Sequence, residues 1–139
     1  MAIRTFLDAS VLIAAYPGLP EQREWLAAIL SERNRFFGAS DFLSLEILPK
    51  AVYYGNRSEV EFYERHFARV TDWIRDFDSI VRIATMEAKN SGLAAMDALH
   101  VAAAHLAEAD VLYTLERPDK PIYRTSLVQV VSIGESEQA

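Results

Sequence analysis

The sequence predicts a parallel α/β domain, with a central sheet of four or five strands between helices on both faces, a three-layer α/β/α sandwich. Three observations lead there. Strand-like apolar runs alternate with segments of helical period. The breaks between them are short. The 139 residues contain no repeat, no low-complexity tract and no linker long enough to separate two domains. Residues 1–133 are therefore expected to form one domain, and the polar tail 134–139 to be disordered. No apolar run approaches the ~20 residues that a bilayer span needs. An export leader is not evident at the start. There is no cysteine. That excludes disulfides, thiolate metal sites and cysteine nucleophiles, and it fits a reducing cytoplasm.

The elements follow in order. Residues 3–7 form an apolar run that ends abruptly in Asp8, followed by Ala9, Ser10 and a short helical run over 11–16. Pro17 and Gly18 break that helix. Pro20 and Glu21 open the next, with proline near the first turn and acid at the positive end of the dipole. Trp25, Leu26, Ile29 and Leu30 repeat at helical spacing. Residues 35–39 are a second strand, and Ser40 is placed to cap a helix with Asp41 in its first turn. Phe42, Leu45 and Leu48 make one stripe of that helix, with Glu46 beside them, and Pro49 should kink or end it. After Gly55 and Asn56, Ser58 with Glu61 three residues later reads as a capping box. Val60, Tyr63, Phe67, Val70, Ile74 and Phe77 then recur at alternating steps of three and four, which predicts one long helix over 58–77. That helix either closes on a neighbour as a hairpin or offers a dimer or partner surface, widened by Phe62 and Trp73. Residues 79–83 read as a third strand. A short helix runs through 88 and stops at Asn90, Ser91 and Gly92, and an alanine-rich helix spans about 94–109. Residues 111–114 are a fourth strand, Pro118 and Pro121 mark a loop, and 128–133 are a last strand.

Four carboxylates stand out by position: Asp8 after the first strand, Glu46 in the helix after the second, Asp97 in the first turns of the alanine-rich helix, and Glu116 after the fourth strand. Ligands and catalytic groups collect at the carboxyl edge of a parallel sheet. Acids gathered there repel one another and are costly to keep ionised without a cation. Mg²⁺ or Mn²⁺ suits an all-oxygen set and can activate water at a phosphodiester. Each acid taken singly has an ordinary alternative: a helix-dipole residue for Asp97, a solvated face for Glu46, a surface turn for Glu116, as for Asp119. Asp8 is the exception, because a carboxylate ending a buried strand needs a partner. His100, three residues after Asp97, could orient Asp97, contact substrate, or pack as a hydrogen-bonded core histidine. Ser10 could hold Asp8 or a bound water, or cap the helix beginning there.

The net charge is −6, from 20 acidic and 14 basic residues, which argues against broad nucleic-acid coating by charge alone. It does not exclude a nuclease, because bound cations invert the field at a carboxylate cluster. Arg117 and Lys50 are near enough in sequence to the candidate acids to be candidates for contacting nucleic acid.

Phe6-Leu7-Asp8-Ala9-Ser10, Glu46 within Ser44-Leu45-Glu46-Ile47-Leu48, Met96-Asp97-Ala98-Leu99-His100-Val101-Ala102-Ala103-Ala104, and Thr114-Leu115-Glu116 together resemble the PIN-domain family, in particular the VapC-like ribonuclease toxins. The match covers nearly the whole chain in order and spacing, and the Asp97 helix is its most specific piece. The resemblance implies a PIN-like α/β/α sandwich and a Mg²⁺- or Mn²⁺-dependent endoribonuclease acting by in-line attack on RNA. Asp8, Glu46, Asp97 and Glu116 would be its catalytic, metal-binding set, with Ser10, Thr114 and His100 in support. It also implies a homodimer, held inactive by a cognate antitoxin. The fourth position is most often aspartate in this family, and here it is the longer Glu116, with Asp119 as a substitute. The alternative is a noncatalytic PIN-like module that binds RNA or protein through the 58–77 helix. A phosphotransfer fold ranks last: Ser10 stands where a dehalogenase-like pattern needs a second aspartate, and the acidic pair of a receiver domain is missing.

Overall fold

The computed structural model describes residues 2–16 and 20–133. The expectations for Pro17, Gly18 and the tail 134–139 lie outside the described residues. Five strands, β1 (Ile3–Leu7), β2 (Arg35–Ser40), β3 (Val70–Ile74), β4 (Val111–Thr114) and β5 (Val130–Ser132), form one sheet in the order β3-β2-β1-β4-β5. Every pairing is parallel. Among the described residues, six helices connect them: α1 (Ala9–Ala15), α2 (Pro20–Ser31), α3 (Asp41–Tyr53), α4 (Arg57–Ala68), α5 (Phe77–Ser91) and α6 (Ala95–Leu106). A 3₁₀ turn, Pro121–Arg124, lies between β4 and β5.

Neighbouring residues of a strand point to opposite faces, and β1 shows the consequence. Leu7 joins a core with Trp25, Leu26, Phe37, Leu43, Ile47 and Tyr63. Phe6 joins the other core, with Ile80, Val101, Leu112 and Ile122. The sheet is thus covered on both sides, by α1 to α4 on one face and by α5 and α6 on the other. Alanine decides how closely α6 sits. Val101, Ala102, Ala103 and Ala104 are fully buried. At the far end of α6, a Cβ added to Gly38 of β2 would stand 3.3 Å from the Ala107 Cβ.

The count of five strands matches the expectation, but one strand lies elsewhere. The long helix over 58–77 does not exist. Val60, Tyr63 and Phe67 belong to α4, Val70 and Ile74 to β3, and Phe77 begins α5. The steps of three and four continued by coincidence across a helix end. Val70, Thr71, Trp73 and Ile74 are β-branched or aromatic, and β3 pairs with β2 through Gly38↔Asp72, Ala39↔Trp73 and Ser40↔Ile74. The expected strand over 79–83 lies inside α5, whose start is set by Asp76 accepting the Ser79 N–H at 3.1 Å. Ile80 and Ala84, four residues apart, are both buried, which is helical spacing. Gly92, at φ 73, ends α5 in the left-handed conformation, as its place in the sequence suggested.

Two caps also differ from expectation. Asn56, rather than Ser58, caps α4, accepting the Glu59 N–H at 3.3 Å while its amide donates to the Glu59 carboxylate at 3.0 Å. Ser40 occupies the cap position of α3 but its hydroxyl makes no capping bond. Pro49 lies within α3, which continues to Tyr53.

Candidate active site

The strand order reverses at β1, so the carboxyl ends of β1 and β4 flank the crevice where parallel sheets of this type place ligands. Asp8 stands on one side of it and Glu116 on the other. The Asp8 N–H continues the sheet by donating to the Tyr113 carbonyl at 3.1 Å. The Asp8 side chain, only 3% exposed, caps α1 by accepting the Val11 N–H at 3.2 Å. It also accepts the Ser10 hydroxyl at 2.5 Å.

Ser10 therefore holds Asp8 and leaves the cap to it. Its Oγ in turn accepts the Leu115 N–H at 3.0 Å and stands 3.4 Å from Thr114 Oγ1. Thr114 Oγ1 accepts the Glu116 N–H at 3.1 Å. One chain of hydroxyls thus ties the end of β1 to the end of β4 and holds the Asp8 carboxylate and the Glu116 main chain at the same edge.

The other two acids come from helices. Asp97 lies in the first turn of α6, and Glu46 lies in α3. His100, fully within the core, meets Glu46 through Nε2 at 2.7 Å, whereas its Nδ1 is buried without a partner. Of the three roles open to His100 in the sequence, the structure selects a hydrogen-bonded one, with Glu46 as the partner instead of Asp97. No spacing rule shows this pair, because its members are 54 residues apart.

The four acids act on one another. The Asp97 carboxyl is raised above its ordinary range, first by burial and then by the negative charges of Glu116 and Asp8, with Glu46 adding to them and His100 opposing. Asp119 instead faces Arg117 at 3.6 Å in an exposed ion pair, so Glu116 is the fourth acid that reaches Asp97.

The donor set fits a hard divalent cation in its chemistry: carboxylate oxygens only, under mutual repulsion. A second observation agrees. The Ser40 hydroxyl is fully buried and has no partner. Ser40 ends β2, the strand that pairs with β1 as far as Phe6↔Gly38. Sequence reading assigned Ser40 only a capping role, and its seat at a strand end was the signal for another. Among the described residues no three histidines, aspartates or glutamates stand close enough to grasp one ion directly. Contacts through water, which Mg²⁺ retains readily, would have to complete such a shell.

No protein-family model matches the chain, and no curated protein does. Solved structures do. A chain of VapBC2 from Rickettsia felis, bound to a DNA fragment from its promoter, superposes with a TM-score of 0.71 at 12% identity, over 94% of this chain and 98% of that one. VapBC-1 from nontypeable Haemophilus influenzae gives 0.66 at 16% identity, over 94% and 98%. A toxin–antitoxin complex from Klebsiella pneumoniae gives 0.65 at 18% identity, over 89% and 94%. The fold is that of the VapBC structures. The PIN-like α/β/α sandwich expected from the sequence is therefore the architecture of this chain. At such identities the VapBC likeness is one of fold.

Proposed function

We propose that this chain is a Mg²⁺- or Mn²⁺-dependent endoribonuclease and the toxin of a toxin–antitoxin pair. The observation that carries the reading is the placement of Asp97 in the field of Glu116, Asp8 and Glu46 at the carboxyl edge of the sheet. Asp8, Glu46, Asp97 and Glu116 would hold the cation. When bound, it supplies water activation and neutralises charge at the scissile phosphate. Ser10 holds the Asp8 carboxylate and Thr114 holds the Glu116 main chain beside one crevice. The buried His100 ring holds Glu46 by a hydrogen bond, the kind of partner that orients a ligating carboxylate.

The fold likeness to a toxin–antitoxin complex supports an antitoxin as protein partner, and the same reading includes a homodimer. No helix among the described residues is long and apolar enough to cross a membrane, which is compatible with action on cytoplasmic RNA. The alternative of a noncatalytic binding module loses its main support with the 58–77 helix. Tyr63 is fully buried, and Phe67 and Trp73 lie against one another at 5.5 Å and pack on the core.

The test is incubation of the purified protein and of Asp8→Asn with total RNA, with and without Mn²⁺. Metal-dependent cleavage by the wild type alone is the expected result. Cleavage by both proteins, or cleavage undiminished by a chelator, would contradict the proposal.

A further inference from the structure

Glu116 belongs to neither a helix nor a strand, yet both of its flanking peptide groups are held. Its N–H donates to Thr114 Oγ1 at 3.1 Å. Its carbonyl accepts the Tyr123 hydroxyl at 2.5 Å, with the Ser132 hydroxyl at 3.5 Å from the same oxygen. Surface loops usually leave such groups to water, so a tyrosine reaching back seven residues is a specific restraint.

Tyr123 is itself anchored. It sits in the 3₁₀ turn Pro121–Arg124, where Ile122 is fully buried. Thr125, the residue after the turn, bonds through its hydroxyl to the buried Glu87 carboxylate of α5, and its Oγ1 accepts the Leu127 N–H at 3.2 Å. The restraint on Glu116 thus runs back to a helix on the face that carries α6. A glutamate side chain has more rotamer freedom than an aspartate, and a fixed backbone narrows where its carboxylate can go.

We propose that Tyr123 is a positioning residue for Glu116, holding its main chain so that the carboxylate is presented to the same cation site as Asp97 and Asp8. The inference rests on the metal-dependent reading above. In this role Tyr123 acts through the Glu116 carbonyl.

The experiment is a Mn²⁺ titration of wild type, Tyr123→Phe, Glu116→Ala and the double variant, with thermal unfolding of each in the absence of metal. Tyr123→Phe keeps the ring and removes the hydrogen bond, so Mn²⁺ affinity should fall about tenfold, as for loss of other outer partners of a metal ligand. The metal-free unfolding temperature should fall by no more than the few degrees that one lost hydrogen bond costs. In the Glu116→Ala background the same change should have no further effect on affinity. Wild-type affinity in Tyr123→Phe overturns the inference, as do losses that add in the double variant, since the tyrosine then acts through something other than Glu116. If the wild type binds no Mn²⁺, the metal-dependent reading fails and this inference fails with it. Wild-type binding with an unaffected Tyr123→Phe removes only the positioning role.

Discussion

Helices α4 and α6 each have 12 residues and each buries one histidine, yet the two histidines serve opposite ends. His66 of α4 is 3% exposed and His100 of α6 is 2% exposed. Neither ring nitrogen of His66 has a partner. The ring lies edge-on to Phe37 at 5.5 Å and tilted against Phe67 at 5.7 Å. Burial, with the Arg69 charge as a smaller second cause, lowers its pKa from 6.5 to about 4. His100 instead meets a carboxylate from another helix, one turn from Asp97. Burial of a histidine therefore says nothing about function by itself. A partner delivered from a distant element does, because that partner is what ties the ring to the site.

The largest effect that separates the helices should come from Asp97→Asn on α6. It removes the negative charge of one proposed ligand without changing shape, and RNA cleavage should fall at least about 1000-fold, beyond what an outer partner contributes. Its unfolding temperature should hold or rise, since a carboxylate under like-charge pressure is relieved. His100→Ala comes next, with cleavage down about 10- to 100-fold. Its deficit should shrink when Glu46 is already Gln, because the two act as a pair.

On α4 the expected effects fall on stability. The folded protein keeps His66 neutral while the unfolded chain takes up a proton below pH ~6.5, so the unfolded state binds more protons in that window. The contribution to stability is complete above ~6.5 and is lost as pH falls toward ~4, amounting to about 2 kcal/mol between pH ~7 and ~5. Denaturant melts of His66→Phe over that range should show a flatter pH profile than the wild type, with metal-dependent cleavage unchanged. The smallest effect is Tyr63→Phe, which removes the 2.6 Å hydrogen bond to Glu59. It should cost about 1 kcal/mol and leave both pH profile and cleavage alone.

What the sequence made legible follows the same division. Asp8 was readable because an apolar strand stops at it, and Asp97 because it opens an alanine-rich helix. The first, second and fourth strands were readable from short apolar runs with abrupt ends. The region from Val70 to Ile83 was not. The apolar seam of α4 runs in phase into an edge strand, and the β-branched start of α5 imitates a strand. The decisive local sign there was Asp76 three residues before Ser79, a cap that outweighs periodicity in placing a helix start. The Glu46–His100 bond and the reach of Tyr123 to Glu116 lay beyond local reading, because each joins residues whose proximity only the folded sheet creates.

The most direct test of the central claim is a Mn²⁺ titration of the wild type and Asp97→Asn, followed by incubation of each with total RNA. The account predicts that the wild type binds Mn²⁺ and cleaves, and that the variant loses both while remaining folded. A wild type that cleaves RNA without binding Mn²⁺, or a variant that binds and cleaves as the wild type does, would contradict it.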